Sequence, residues 1–398
     1  MPLQKQCYSP ESLRWYERLP TSPAVRVGDL LFIAGQVSLD ADFETIAQGD
    51  VKAQARNAFK HILEILEMAG GNVDDIVDVI SFHKDLREMD LVFDVAREFL
   101  KKDYPAWTAV GTVGSYRSDL LVSIRVIAHL GREKKRCFTP DSLKWWRSYP
   151  ISGGCQKGNL LFISGQVAAD ADGHVTTPGD HAAQARYAFD RVQEIVRLAG
   201  GTMDDVIDIL SFHHDVRGMD PAFGVVCSPE TFGSIPFESA PAWTAIATQG
   251  LYKLGMLGSY RVIADLSPGK RIAKTPAGIW WKILPISGGT RKGSGSLIGI
   301  SGEVASDGDG NIISPGDTAS QARCAFDRIK ETLEMFGASM DNVVEVTSFH
   351  KDPRAWEIVM KVGAEYFRKG QEPAWTPVGM TGLYKEGYLH EIYALAVM

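Results

Sequence analysis

LLFIAGQV, residues 30–37, decides the fold, because the chain writes its closing tripeptide three times. GQV at 35–37 returns at 165–167 and as GEV at 302–304. QAR at 54–56 returns at 184–186 and 321–323, and SFH at 81–83 returns at 211–213 and 348–350. PAWT at 105–108 returns at 241–244 and 373–376. The spacings are 130 and 137 residues for the first three motifs, and 136 and 132 for the last. Several motifs recurring in one order at one long period mark repeated structural units. A motif W-[WY]-x-x-x-P opens each unit: Trp15 to Pro20, Trp145 to Pro150, Trp280 to Pro285. The slack in spacing is local. Repeat 2 carries a longer segment, Val225 to Ser239, and repeat 3 carries extra residues in RKGSGSLIG. The units run 1–132, 133–268 and 269–398, joined by the short polar stretches GREKKR and SPGKR.

One unit can be read in full. Residues 23–28 and 30–37 are short apolar runs around Gly28-Asp29, a hairpin signal. Asp50 is placed to cap a helix reaching Ala69, whose Ala55, Phe59, Ile62, Leu63 and Leu66 follow helical spacing until Gly70-Gly71 stops it. Ile76 to His83 alternates as a strand, with Asp78, Ile80 and Phe82 on one face and Val77, Val79, Ser81 and His83 on the other. Asp90 to Lys101 reads as a second helix, and Thr108–Val113 and Leu120–Leu130 as the last strands. The order β-β-α-β-α-β-β makes each unit an α+β sheet with two helices on one face. The bare face then needs a partner, and two more copies are attached.

Composition narrows the function. The chain is 398 residues long, 45% hydrophobic and 23% charged, enough to bury several cores. Its net charge of −7, without a Lys/Arg block, argues against a nucleic-acid partner. No apolar run approaches the roughly 18 residues a membrane span needs. The opening MPLQKQCYSPES has no apolar targeting core, and the five cysteines form no CxxC pair. Both fit a cytoplasmic protein with reduced thiols.

The pattern LLFIAGQV…GDVKAQARNAFKHILEILEMAGG…DIVDVISFHKDL…YPAWTAVG…SIRVIAHL resembles the RidA/YjgF/UK114 family over nearly the whole of each unit. The resemblance implies a chorismate-mutase-like fold and a trimer with a cleft between neighbouring subunits, here fused into one polypeptide as an intramolecular pseudo-trimer. It implies a cofactor-free enzyme of the imine/enamine deaminase kind. Deaminase members bind a substrate carboxylate with an arginine and activate a bound water.

The departures from that pattern shape the expected site. The arginine that follows the Pro-Ala turn in deaminase members is replaced by Trp107, Trp243 and Trp375. An indole cannot pair bidentately with a carboxylate; it offers a flat apolar face and one N–H. These rings suit core packing or stacking on a substrate. Where the family often has a cleft asparagine, the chain has Arg87, Arg217 and Arg354, suited to an anionic or carbonyl-rich substrate or to plain solvation. His83, His213 and His350 stand where many members are aliphatic, either as hydrogen-bonded core residues or as groups exchanging a proton with water.

The glutamate that holds the attacking water in many deaminase members matches Glu391, whereas repeats 1 and 2 have Ser123 and Ser259 there. Two residues on, and so on the same strand face, stand Arg125, Arg261 and Tyr393. Repeat 3 also has Glu303 in place of Gln36 and Gln166. The cleft receiving repeat 3's last strand is therefore expected to be acidic, and the other two cationic. Tyr116, Tyr252 and Tyr384 suit a hairpin role, with Tyr384 within reach of a cleft.

No Rossmann, P-loop or nucleophile-elbow motif occurs, and no metal-ligand spacing, so neither cofactor nor metal is expected. The reading is a hydrolase on a C–N bond (imine, enamine, amide or urea-like) of a small planar metabolite. Glu391 would activate water with His350 or Glu303 assisting, and the arginines, Trp rings, His83, His213 and Tyr384 would hold substrate. A non-catalytic binding or scaffold protein is the alternative, and a ribonuclease a weaker one. Three fused units predict a monomer, with a dimer of rings open.

Overall fold

The computed structural model describes residues 4–226, 228 and 239–398. Most of the longer segment of repeat 2, with Cys227, lies outside the described residues. Repeat 1 comprises β1 (Lys5–Tyr8), β2 (Ala24–Val27), β3 (Leu30–Gln36), α1 (Val51–Met68), β4 (Ile76–His83), α2 (Met89–Phe99), β5 (Ala106–Gly111) and β6 (Val122–His129). Repeat 2 comprises β7 (Arg136–Phe138), β8 (Gly154–Lys157), β9 (Leu160–Gln166), α3 (His181–Ala199), β10 (Val206–His213), α4 (Met219–Val226), β11 (Ala242–Ala247) and β12 (Gly258–Asp265). Repeat 3 comprises β13 (Arg271–Lys274), β14 (Gly289–Lys292), β15 (Leu297–Glu303), α5 (Thr318–Met335), β16 (Val343–His350), α6 (Trp356–Gly363), β17 (Ala374–Gly379) and β18 (His390–Val397).

Each repeat builds one six-stranded sheet, ordered β1-β2-β3-β6-β4-β5 in repeat 1 and equivalently in the others. Only the β4–β5 pairing and its counterparts are parallel. The sheet has one strand more than the pattern predicted. The extra strands β1, β7 and β13 are three or four residues long, too short for alternation to register. Between β1 and β2, Glu11–Arg18 forms a short 3-10 helix carrying the tryptophan motif. Asp50, Asp180 and Asp317 cap the long helices as expected, their carboxylates accepting from Ala53, Ala183 and Ser320 backbone N–H groups at 2.9–3.0 Å. Such caps contribute about 1 kcal/mol each.

The helices cover one face of each sheet, and the bare faces meet one another. Phe82, Phe212 and Phe349 meet edge to face, with centroids 6.4 and 6.3 Å apart. The strand carrying PAWT in one repeat docks on the next. Ala106 bridges Ser152, Ala242 bridges Ser287 and Ala374 bridges Ser22, which closes a ring of three. The docking also explains the glycine of GQV. Gly35 N–H donates to Thr376 Oγ1 at 2.8 Å, and a Cβ there would stand 2.6 Å from Thr376 Cγ2. No side chain fits where the neighbouring repeat approaches that closely.

The axis of the ring is polar. Arg125 donates to Asp78 and Glu345, and Arg261 donates to Asp78 at 2.6 Å and Asp208 at 3.2 Å. Repeat 3 supplies no third arginine. Tyr393 stands in that place and donates to Asp208 at 2.8 Å. All six side chains are buried. Burial, offset in part by Arg261, pushes the Asp208 carboxyl up to about 6. Cys7, Cys137, Cys155 and Cys324 are free thiols. No described helix is long and apolar enough to cross a membrane.

Candidate functional site

Each repeat meets the next in a cleft, and the one between repeats 2 and 3 (the 2/3 cleft) is the most distinctive. Repeat 2 contributes Phe223 from α4, and Trp243 and Ala245 from β11; repeat 3 contributes Trp280, Trp281, Tyr384, Tyr388 and Glu391. Together they line a half-open pocket with a cavity volume of about 50 Å³. The Trp280 and Tyr384 rings pack tilted by 31°, with centroids 5.4 Å apart. The Tyr384 hydroxyl reaches across the interface to donate to Asp220 at 2.7 Å.

Glu391 sits on β18 with its side chain toward the cavity and only 5% of the residue exposed. Burial first, and the nearby Glu303 second, push its carboxyl up to about 8. Glu303 ends β15, fully buried, with neither carboxylate oxygen hydrogen-bonded; Arg328 on α5 lies 4.0 Å away. Burial raises this carboxyl to about 8 as well, against the pull of Arg328. Two buried carboxyls thus hold their protons near neutrality, where a group can both take and return a proton during a reaction.

The other clefts share the backbone and differ in chemistry. In the 1/2 cleft, Phe93, Trp107, Trp145, Trp146 and Tyr252 surround Ser259, leaving a cavity volume of about 30 Å³. In the 3/1 cleft the space is filled. Tyr16 packs 3.8 Å from Trp15, and its hydroxyl accepts from Gln36 Nε2 at 3.3 Å. Tyr116 donates to Trp375 O at 3.0 Å. A hollow lies outside this plug, lined by Trp15, Phe43, Trp356 and Met360.

The structure separates the expected site residues. Glu391, Trp243 and Tyr384 come together in the 2/3 cleft, with Glu303 behind them; Trp107 lines the 1/2 cleft, and Trp375 is wholly buried. Arg125 and Arg261, expected to bind substrate, line no cleft and belong to the axial ion network. The two clefts expected to be cationic owe nothing to them. Arg87, Arg217 and Arg354 also stay out of the aromatic clefts. Their side chains are 86–90% exposed, each paired with the aspartate two residues before it.

The histidines close an internal relay. Each indole Nε1–H of Trp107, Trp243 and Trp375 donates to Ser81, Ser211 or Ser348, at 2.7–2.8 Å. Each serine in turn bonds His83, His213 or His350 at Nε2, at 2.7–2.9 Å. Burial holds all three rings near pKa 3, so none exchanges protons near pH 7. His350 is also misassigned as a helper of Glu391. Phe349 is the residue paired with Glu391 across the strands, so the His350 ring faces the other way. Ring geometry joins Glu391 to Trp243 of repeat 2, whereas His350 belongs with Trp375 beside the 3/1 cleft.

Sequence reasoning missed Trp280, Trp281, Trp145, Trp146 and Tyr388 as cleft walls. The signal was present in the recurring W-[WY]-x-x-x-P motif, which opens each unit and lines the cleft with the preceding one.

Comparison with known proteins places this geometry in context. The family model described as Endoribonuclease L-PSP matches residues 16–130, 148–258 and 288–398. A RutC family protein of Pyrococcus abyssi is 34% identical over 110 residues, 28% of this chain and 86% of that protein. A 2-iminobutanoate/2-iminopropanoate deaminase of Dermatophagoides farinae is 28% identical over 92 residues, 23% of this chain and 72% of that protein. The crystal structure of a chorismatase is similar with a TM-score of 0.57 at 15% identity, covering 81% of this chain and 93% of that one. At that identity the likeness is one of fold.

Proposed function

The chain belongs to the family described as Endoribonuclease L-PSP, the RidA/YjgF/UK114 family, and from that premise we propose that it hydrolyses a C–N bond of a small planar metabolite in the 2/3 cleft. The observation that carries this reading is Glu391, a buried carboxyl set among aromatic rings and facing the pocket they line. The deaminase among the relatives favours a C=N bond as the target. Trp243 and Trp280 would flank the planar substrate. Glu391 would take a proton from water while the water oxygen bonds to the C=N carbon and the π electrons move to nitrogen. The proton then returns to nitrogen, and the carbinolamine collapses to a carbonyl compound and ammonia or an amine. The balance is imine plus water to carbonyl plus amine.

Acting as the base, Glu391 must be ionised, so turnover rises with pH until about 8 and then levels. The test uses imines without a carboxylate, generated in situ from primary amines by an amine oxidase, with ammonia release as the readout. Glu391→Gln should abolish the catalysed rate; turnover at the unaltered rate would overturn the mechanism.

We further propose that one chain closes the ring and works alone. Sedimentation should then give a particle near 43.6 kDa, and a mass about three times larger would mean that units are exchanged between chains.

A further inference from the structure

The walls of the 2/3 cleft are aromatic and its one charged lining side chain is an acid. Phe223, Trp243, Trp280, Trp281, Tyr384 and Tyr388 line it with Glu391, and no Lys or Arg does so among the described residues. Such an enclosure is hostile to a carboxylate, which would meet Glu391 without a cation to pair with. It is favourable to a positive charge, since ring faces attract cations and a desolvated site strengthens that attraction.

We propose that the 2/3 cleft binds a small organic cation without a carboxylate, such as a protonated imine or an alkylammonium, with its charge between Glu391 and the aromatic faces. This deepens the reading of that cleft as the reaction site and names its substrate class.

The surrounding charges leave room for a ligand cation. Glu303 lies behind Glu391 with both oxygens unpartnered. The nearest described guanidinium, Arg328, is 4.0 Å from one of them. It is committed elsewhere, to Ser306 O, to Ser306 Oγ at 3.3 Å and to Val304 O at 3.4 Å. Once Glu391 ionises, its charge meets no Lys or Arg among the described lining residues, and Arg328 stands beside Glu303 instead. At the rim, Lys385 Nζ donates to Gly310 O at 2.5 Å, and Tyr384 donates to Asp220.

At the 1/2 cleft a lysine touches the same kind of wall from outside the lining, donating to Gly173 O at 2.7 Å as Lys385 does to Gly310 O. There the chain's own Lys253 Nζ lies 4.9 Å from the Trp145 ring centroid and 6.0 Å from that of Tyr252. The equivalent rings, Trp280 and Tyr384, carry no cation among the described residues. That cleft also lacks the acids, with Ser259 and Gln166 in their places.

Binding and ionisation are then coupled. A cation beside Glu391 favours its charged form, so arrival of the ligand expels a proton and creates the base that the reaction needs. Affinity for a permanent cation should rise with pH up to about 8 and level above it.

The experiment titrates the full chain with three isosteres: choline, neutral 3,3-dimethylbutan-1-ol and anionic 3,3-dimethylbutanoate. Tryptophan fluorescence reads affinity, and calorimetry in two buffers of different ionisation enthalpy reads proton release. Choline should bind about tenfold more tightly than the alcohol, the carboxylate least of all, and choline should release protons at pH 7. Glu391→Ser, which installs the residue that repeat 2 carries at Ser259 and so suits the fold, should erase the preference. Choline binding no tighter than the alcohol, or tighter binding of the carboxylate, overturns the proposal. Cation preference without turnover of any imine leaves this inference standing and removes the reaction. Glu391-dependent turnover without cation preference does the reverse.

Discussion

Strands β6 and β18 occupy the same place in repeats 1 and 3, and their inner faces carry different chemistry at both ends. β6 presents Ser123 toward a cleft and Arg125 toward the axis; β18 presents Glu391 and Tyr393. β12 sides with β6, carrying Ser259 and Arg261. The backbone pairing is common to all three. One fold therefore accepts a hydroxyl or a carboxyl at the cleft end, where the neighbour leaves space. At the axial end the three strands answer to one another. Two arginines serve three acids, and Tyr393 completes the set at the expense of an unpartnered Asp208 Oδ1. Repeat 3 thus carries a carboxyl at its cleft where the others have a hydroxyl, and no cation at the axis.

The comparison can be broken most directly at the cleft. Glu391→Gln should lower imine turnover by about 100-fold or more, whereas Ser123→Ala and Ser259→Ala should leave it within about twofold; equal losses at all three positions would mean that the clefts are equivalent. Next comes the axis. Arg125→Met strands Glu345, leaves Asp78 to Arg261 alone, and should cost about 3–5 kcal/mol in urea unfolding. Tyr393→Phe removes one hydrogen bond to Asp208 and should cost about 1–2 kcal/mol.

A smaller effect of opposite sign is expected at Glu303, where repeats 1 and 2 carry glutamine. Its folded pKa is raised, so the stability it contributes is present below its unfolded value and lost as pH rises through about 8. Glu303→Gln should therefore stabilise the chain by about 1–2 kcal/mol at pH 9, with the gain shrinking toward pH 5. The acid limb of the turnover profile should also move to lower pH, since Glu391 loses a repelling neighbour. Least of all, Arg87→Ala, Arg217→Ala and Arg354→Ala should each shift stability by less than about 0.5 kcal/mol and leave turnover unchanged. A larger loss would restore these arginines to the site.

How much was legible follows from which physics each residue obeys. The repeats, the long helices with their Asp caps and the central strands are written in periodicity. The extra strands β1, β7 and β13 are not, because three or four residues cannot display a period. Glu391 could be singled out because it matches the water-holding glutamate of the resembled family, where the other two repeats carry serine. Arg125 and Arg261 misled for a geometric reason. Sharing a strand face with Ser123 and Ser259 is a statement about direction, and two residues along a strand are about 7 Å, enough to pass from a cleft to the axis. His350 misled for a topological reason: in a ring, each cleft takes its halves from different repeats. The relay from Trp through Ser to His left its trace in the SFH and PAWT motifs, yet only the pairing of their strands reveals that they bond.

The axial network has a consequence for how the chain can change. In a ring of three identical chains, one codon sets three positions together. A tyrosine in place of the axial arginine would then appear three times and strand three buried carboxylates at once. At about 3–5 kcal/mol for each unpaired buried charge, that would consume the 5–15 kcal/mol by which a folded domain is typically stable. Here the same codon is written in one repeat, and the two remaining arginines hold the ring. Covalent joining has divided the size of the mutational step by three, which opens to this fold substitutions that its symmetric form could not survive.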